Sequence, residues 1–223
     1  MQDHASGLPL PSAARWNCCV DEELKRELLA RRDEDQRIRN LVSSQPGGYM
    51  VRLPDELAAG WQRIDDENTR WLAEVLSARG WPGRTLVGED GTGAAWLLAQ
   101  HADHDPVQQR AFLHALRSAA AQGQASRAHL AYLEDRVRVN ASQPQLYGTQ
   151  FTVTDGELGP SPIEDRERLD ERRAEAGLEP FADYEARMRD QSWPSRRGPT
   201  ARWRAYSCGC ASAYTFSRSS SSV

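Results

Sequence analysis

Residues 94–106 of the chain read AAWLLAQHADHDP. Leu97 and His101 lie four positions apart in an apolar row, which is the spacing of one face of an α-helix. Asp105 followed by Pro106 is the order expected of an N-cap residue and a first-turn proline, so a new helix should begin there. The stretch therefore predicts two consecutive helices joined by a polar turn, with the imidazole of His101 facing inward.

The same periodicity continues on both sides of this stretch and predicts further helices. They are expected from Asp21 to just before Gln45, from beyond Pro54 to Gly80, from Pro106 to about Gln122, from Ser126 to Val139, over the charged segment closed by Gly177, and from Pro180 to Asp190. The glycine-rich segment GEDGTG, residues 88–93, is expected to be a flexible link or cap before the third helix. A phosphate loop is disfavoured there because the Walker lysine and a strand–helix–strand frame are missing.

The amino-acid composition of the chain changes at residues 145–154, QLYGTQFTVT, which are rich in Tyr, Thr, Phe and Val. Such a composition is typical of a β-strand, and the expected pairing partner is the segment 138–141. Strand alternation would send Tyr147, Thr149 and Phe151 to one face. The predicted fold class is therefore mainly α, an irregular helical bundle with a small β-hairpin.

The expected domain organisation is one helical domain between two tails. Residues 21–190 carry the periodic segments, whereas residues 1–20 and 191–223 are predicted to be disordered because they cannot bury enough apolar area to offset the entropy of ordering. The second tail is rich in arginine and serine and contains a Cys-Gly-Cys sequence. All four cysteines lie in the tails, so the domain has neither a disulfide framework nor a cysteine metal site.

Composition and charge disfavour several classes of partner and chemistry. The net charge of −4 argues against nucleic acid, which calls for a concentrated basic face. Lys25 is the single lysine of the sequence, which argues against Schiff-base chemistry. No run approaches the ~18 apolar residues of a membrane helix, and residues 1–20 lack the pattern of a secretion signal. We therefore expect a cytoplasmic protein with no membrane or nucleic-acid partner.

His101 is the first candidate for chemistry, because a buried histidine beside carboxylates can move protons near neutral pH. Asp103 is its neighbour in the polar turn. The alternative is a satisfied polar group in the core, with Asp105 acting only as a helix cap. A metal site built from His101 and His104, completed by His114 or Asp135, is the weaker hypothesis, because no third ligand stands at a typical spacing.

Two more polar motifs accompany His101. In YLEDRV, Asp135 and Arg136 lie off the apolar stripe of their helix, so they form either an ordinary surface ion pair or an acid–base group beside an anion clamp. In QLYGTQ, several hydrogen-bonding side chains stand close together, and Gly148 permits a close approach of the backbone. The alternative for this motif is a polar exposed hairpin.

In their order, these motifs resemble those of a bacterial family of unknown function, family 6624. The matching pieces run through residues 21–189 and include GWPGRTLVGEDGTGAAWLLAQHADHDPVQQ, AYLEDRV, QLYGTQF, PIEDRERLDERRAEAGLEPFADY and, less specifically, DDENTRWL. The resemblance implies that a set of polar positions belongs to the pattern of the family: His101, Asp103, Gln108, Asp135, Arg136, Gln145, Tyr147, Thr149 and Gln150. It favours a functional cleft but implies no reaction.

The leading functional hypothesis is a cofactor-independent acid–base enzyme of hydrolase or lyase type, without a metal, acting on a small molecule or peptide. His101 would be the acid or base, with Asp103 or Asp135 as its orienter and Arg136 as the binder of an anionic group. Tyr147 with Gln150 would clamp the substrate, and the further substrate-binding candidates are Gln108, Gln145, Thr149 and Asn68.

The alternative is a non-catalytic module. It would be either a binding domain whose polar network fixes its structure, or a peptide precursor whose Cys/Ser-rich end is processed by modifying enzymes.

Overall fold

The computed structural model describes residues 20–44, 53–154 and 157–192. The predicted tails lie outside these ranges except at their inner ends, where Val20 is described and the last helix continues to Ser192. The prediction of disorder for residues 1–20 and 191–223 therefore stays a prediction.

Helices dominate the described part of the chain, and they occur in the order predicted. They are α1 (Glu22–Ser43), α2 (Asp55–Arg79), α3 (Arg84–Gln100), α4 (Pro106–Ala121), α5 (Arg127–Asn140), α6 (Leu169–Glu175) and α7 (Phe181–Ser192), with a 3₁₀ turn at Arg166–Arg168. Two short strands, β1 (Phe151–Thr154) and β2 (Glu157–Pro160), form an antiparallel pair. The prediction of a mainly α fold with a small β-hairpin is confirmed.

Side-chain caps mark the starts of α1, α4 and α5. The side chain of Asp105 accepts the N–H of Gln108 at 3.0 Å and Pro106 opens α4, so the predicted start of this helix is confirmed. Asp21 caps α1 in the same way, accepting from Leu24 at 3.0 Å. These caps fix where the chain leaves each turn, including the turn that follows His101.

The main core lies where the first five helices meet. Its fully buried members include Leu28 of α1, Leu72 of α2, Leu98 of α3, Phe112 of α4 and Leu133 of α5. A smaller aromatic cluster joins the hairpin to α6 and α7 through Phe151, Leu169, Phe181, Tyr184 and Met188. Of the polar groups described below, some lie on α1, α2 and at the end of α3, and others on α5 and in the loop that follows it.

The prediction of a flexible glycine link at residues 88–93 is wrong, because these residues belong to α3. Gly88, with φ 72°, kinks the helix, and the chain beyond it packs directly on α1. At Gly91 a Cβ would lie 2.7 Å from the Cβ of Val87 and 3.5 Å from the Cγ of Lys25. A side chain at Gly91 would therefore collide with Val87 of the same helix, beside the side chain of Lys25 on α1.

The prediction of a strand over residues 145–154, paired with residues 138–141, is also wrong. Only Phe151–Thr154 is a strand, its partner is Glu157–Pro160, and residues 138–140 still belong to α5. Residues 146–150 form a loop, and Gln145 makes a single parallel bridge to Ile163. The loop forms because the carboxylate of Asp135 takes the backbone N–H groups that a strand would donate to its neighbour.

Candidate functional site

His101 lies at the C-terminal end of α3 and is 6% exposed, so the prediction that it faces inward is confirmed. Its Nδ1 atom lies 2.9 and 3.0 Å from the two carboxylate oxygens of Asp35. Within the described residues, its Nε2 atom makes no hydrogen bond. Burial first, and then the charge of Arg39, lower the pKa of His101, so the ring is neutral at neutral pH with its proton on Nδ1.

Asp35 of α1 is completely buried, and it is held by more than the imidazole. Arg39, one turn further along α1, donates its Nε–H to both carboxylate oxygens at 3.2 Å. Gln36 donates to Oδ2 at 2.9 Å. Burial alone would raise the pKa of Asp35, but His101 and Arg39 together hold this pKa well below its usual range. Asp35 is therefore an ionised carboxylate in the protein interior.

Arg39 also connects this pair to α2. Its Nη2 atom donates to Oδ1 of Asp65 at 2.7 Å, and its guanidinium lies 5.0 Å from the ring centre of Trp61. The pKa of Asp65 is raised to about 7, by burial above all, and the carboxylates of Asp35 and Asp103 add to the rise although Arg39 opposes it. Asp65 therefore gains or loses its proton near neutral pH. Arg39 links it directly to the Asp35–His101 pair.

A second polar cluster surrounds Asp103, in the turn after His101. Arg136 binds this carboxylate with two N–H groups, one of them the Nε at 2.8 Å, while Gln109 and Asn140 donate to it at 2.9 and 2.7 Å. Burial would raise the pKa of Asp103, but Arg136 and the amide donors keep this pKa far below its usual value. Since Arg136 is only 4% exposed, the alternative of a surface ion pair at this position is wrong.

Asp135 is completely buried and organises the loop that follows α5. Its carboxylate accepts the backbone N–H groups of Leu146 at 2.7 Å, Tyr147 at 3.0 Å and Thr149 at 2.9 Å, and also the Thr149 hydroxyl at 2.9 Å. Burial raises the pKa of Asp135 and these donors oppose the rise. Because every neighbour donates, all four bonds form together only with the ionised carboxylate.

Most of the predicted substrate-binding residues belong to this structural network. Gln145 donates to the carbonyls of Gln150 and Ser161 at 2.9 and 2.8 Å, and Gln150 in turn accepts from Arg136 at 3.2 Å. Asn68 lies on α2, where its Oδ1 accepts from Arg31 at 3.2 Å. Gln108 is half-buried in the first turn of α4, where Asp105 caps its backbone N–H.

Tyr147 is half-buried and meets Asp135 through its backbone. Its phenol makes no hydrogen bond to His101 or to Asp103 within the described part of the chain. Burial, followed by the charges of Glu134 and Asp135, raises the pKa of Tyr147. The charged groups that shift the pKa of Tyr147 are therefore not the ones that shift the pKa of His101.

The structure thus brings some of the predicted site residues together and leaves His101 apart from them. Asp103, Arg136 and Gln150 form one connected hydrogen-bonding cluster, which Thr149 joins to Asp135. His101 is bonded instead to Asp35 and, through it, to Arg39 and Asp65. The two groups influence each other electrostatically, since Arg136 lowers the pKa of His101 and Asp103 raises that of Asp65.

Sequence reasoning missed Asp35, Arg39 and Asp65. A signal for the first was present: Asp35 stands seven residues after Leu28 and seven before Val42, two fully buried positions, and is therefore on the buried face of α1. The dense charges of RRDEDQR concealed this spacing. Arg39 then follows at the next turn of the same face.

Three acidic side chains, on α2 and in the turn after α3, are partly exposed. The side chain of Asp65 is 15% exposed, that of Asp103 35% and that of Asp66 40%. The Nε2 atom of His104 lies 3.0 Å from Asp66. In the described ranges, no three His, Cys, Asp or Glu side chains converge in a way that could hold a metal ion.

Two surface depressions lie elsewhere. One of about 460 Å³ is lined by Arg84, Ser126, Arg127 and small residues such as Gly123. The other, of about 320 Å³, is lined by Arg31, Glu67, Arg70, Trp71 and Glu74. His101 and Asp35 line neither of them. Among the described helices, none is both long and apolar enough to cross a membrane.

The fold and its polar groups define a mainly helical protein with a buried Asp–His pair, which Arg39 links to the carboxylate of Asp65. A family model matches residues 22–193, and the chain therefore belongs to DUF6624, a family of unknown function. The resemblance inferred from the motifs is confirmed. No curated protein and no solved structure matches the chain.

Proposed function

We propose that this protein is a cofactor-independent acid–base enzyme of hydrolase or lyase type, with His101 as the general base. The observation that carries the proposal is the orientation of the imidazole: Asp35 holds Nδ1 at 2.9 Å while Nε2 makes no hydrogen bond among the described residues. A carboxylate bound to one ring nitrogen fixes the tautomer and leaves the lone pair of the other nitrogen available to accept a proton.

The neighbours of the pair suit this chemistry. When Nε2 takes a proton from water or from a carbon acid, the imidazolium that forms lies against the ionised carboxylate of Asp35, which stabilises its charge. Arg39 keeps Asp35 ionised, so the proton stays on the imidazole and does not pass to the carboxylate. The lowered pKa of His101 ensures that the ring starts neutral and able to accept a proton.

The other polar groups receive supporting roles in this proposal. Arg136 is occupied by Asp103 and Gln150 and positions the turn that follows His101, whereas Asp135 positions the loop after α5. The orienter of the imidazole is Asp35, in place of the Asp103 or Asp135 expected from sequence. The proposed substrate is a small molecule or peptide, and the proposed location is the bacterial cytoplasm.

A second candidate function is a non-catalytic binding domain. It is favoured by the complete hydrogen bonding of the buried carboxylates. The carboxylates of Asp103 and Asp135 have four donor groups each, as expected of a network that specifies a single packing arrangement. The precursor hypothesis concerns the Cys/Ser-rich end at residues 205–223, outside the described ranges, and stays a prediction. An intact mass from the native host would test it, since dehydration removes water from serine.

The enzyme proposal is tested with His101→Gln, whose amide can still donate to Asp35. The control is His114→Gln, because His114 is exposed on α4. Both variants and the wild type are screened against ester, amide and phosphoester hydrolysis and against β-elimination substrates, together with thermal melting. We expect the His101 variant to lose about 100-fold or more of any activity found while its Tm stays close to that of the control. A folded His101→Gln protein with full activity overturns the proposal, and collapse of the fold with no activity in the wild type favours the binding domain.

A further inference from the structure

Four ionisable side chains form an unbroken chain of contacts from α3 through α1 to α2. The Nδ1 atom of His101 lies 2.9 Å from Asp35, and the Nε of Arg39 lies 3.2 Å from the same carboxylate. The Nη2 of Arg39 then donates to Asp65 at 2.7 Å. The two carboxylates differ in exposure: the side chain of Asp35 is completely buried, whereas that of Asp65 is 15% exposed. We call these four residues the four-group chain.

One guanidinium serves two carboxylates in this chain. With both carboxylates ionised and the imidazole neutral, the four groups keep one uncompensated negative charge. One added proton makes them neutral, and a second would leave an excess positive charge. Because uncompensated charge is costly where water is largely excluded, the neutral state of the four groups is the most stable one. The added proton can lie at either end of the chain, on the carboxyl of Asp65 or on the Nε2 of His101.

At rest this proton lies on Asp65. Burial above all raises the pKa of Asp65 to about 7, whereas burial lowers the pKa of His101. Below about pH 7 the resting chain therefore has a protonated carboxyl at one end and a neutral imidazole at the other. The charged groups that act on Asp65 are Arg39 and Asp35 from α1 and Asp103 from the turn after α3, and those that act on His101 are the same two residues of α1 and Arg136 from α5.

We propose that Asp65 balances the charge of His101 during the reaction: when Nε2 of His101 takes a proton from the substrate, the carboxyl of Asp65 releases its own proton to solvent. An N–H bond forms at His101 while an O–H bond breaks at Asp65, so the charge of the four-group chain does not change. Asp65 takes a proton back when His101 gives its proton up. It acts through Arg39 and Asp35, and is therefore a positioning residue. The inference rests on the proposed function, because it explains how the charge of the imidazolium is balanced.

The coupling between the two ends is tested without a substrate, by NMR of the full-length protein. The ¹³C signal of the Asp65 carboxyl and the ring ¹⁵N signals of His101 are followed from about pH 5 to about pH 9. We expect the carboxyl to titrate near neutral pH, and the ring signals to shift at the same midpoint while the ring stays neutral. A carboxyl signal that does not change over this range, or ring signals that do not follow it, overturn the proposal.

The variant Asp65→Asn keeps an acceptor for Arg39 but removes the proton. Its His101 signals should lose the transition near neutral pH. If the wild type has activity, kcat of the variant should fall by about tenfold at about pH 8, where Asp65 is ionised in the wild type, and by less at about pH 6, with KM unchanged. Asp90→Asn, an exposed aspartate on α3, is the matched control and should behave like the wild type. A purely structural role of Asp65 would lower kcat equally at both pH values, and that result overturns the proposal.

The two readouts separate this inference from the proposed function. Coupled signals of Asp65 and His101 in a wild type without acid–base activity would remove the enzyme and keep the coupling. An active wild type whose signals are not coupled would remove the role of Asp65 and keep the enzyme.

Discussion

The carboxylate of Asp35 holds the Nδ1 atom of His101 at 2.9 Å, across 66 positions of the sequence and inside the core between α1 and α3. An ionised group at this depth is stable only while its partners stay in place. The pair therefore ties the packing of α1 on α3 to the orientation of the imidazole. Structure and proposed chemistry depend on the same contact, and variants can separate them.

Replacing Asp35 by asparagine should destabilise the protein strongly. The neutral amide leaves the buried guanidinium of Arg39 with one carboxylate fewer, so we expect a loss of about 3 kcal/mol in the free energy of unfolding. Urea denaturation measures it. Asp33→Asn, on the exposed side of α1, is the control and should change the same quantity by less than about 1 kcal/mol. Similar effects of the two variants would show that the charge of Asp35 does not support the fold.

Asp65 should give the protein an unusual dependence of stability on pH. Its pKa is raised from 3.8 in the unfolded chain to about 7 in the folded protein, so between these values the folded protein holds a proton that the unfolded chain has lost. The contribution of Asp65 is therefore fully present at low pH and decreases as the pH rises towards 7, by up to about 1.4 kcal/mol per pH unit. His101, Asp35 and Asp103 have lowered pKa values and act in the opposite direction.

The variant Asp65→Asn isolates this contribution, because the other titrating groups remain. We expect its Tm, relative to that of the wild type, to increase steadily from about pH 5 to about pH 8. Thermal melts in buffers matched for ionic strength measure the difference. A flat difference would show that this carboxyl is ionised throughout the range.

Asp135→Asn should loosen the loop after α5. Asparagine cannot accept four donors with its single carbonyl oxygen, so the backbone N–H groups of Leu146, Tyr147 and Thr149 cannot all keep their partners. We expect a loss of about 3 kcal/mol in unfolding free energy and faster hydrogen exchange at these three amides. Glu134→Gln, the preceding residue on α5, is the control. Unchanged exchange at the three amides in Asp135→Asn would show that the loop has another support.

The helices could be predicted from sequence because apolar spacing and caps are local. Leu97, His101, Asp105 and Pro106 fix the end of α3 and the start of α4 through contacts within a few residues. The loop at residues 146–150 could not be predicted in this way. Its composition favours a strand, but Asp135, on a different element, competes for the same N–H groups. A long-range side-chain contact therefore overrides the local propensity.

The candidate site was predictable to a lesser extent, for the same reason. Burial of His101 follows from its place on an apolar row, but the identity of its partner depends on how α1 packs on α3. Asp103 is nearer in sequence, yet Arg136 occupies it and so leaves the imidazole to Asp35. The raised pKa of Asp65 has no local cause at all, because it arises from burial and from carboxylates on two other elements.

Gly148→Ala should destabilise the same loop by a different route, through backbone strain and collision. Gly148 has φ 68°, a conformation that residues with a side chain rarely adopt, and a Cβ there would lie 2.7 Å from the ring of Phe181. We expect the free energy of unfolding to fall by about 2 kcal/mol or more, since both costs act together. Urea denaturation checks the change, and the near-UV signal of the aromatic cluster at Phe181 reports whether the ring has moved.

Gly60→Ala is the matched control for this substitution, because a Cβ at Gly60 would meet nothing within 4 Å and the residue lies inside α2. Alanine has the higher helix propensity, so this variant should be more stable by up to about 1 kcal/mol. The same chemical change is thus expected to have opposite signs at the two positions. If Gly148→Ala were as stable as the wild type, Asp135 could not be holding residues 146–150 in the tight conformation that places them between α5 and Phe181.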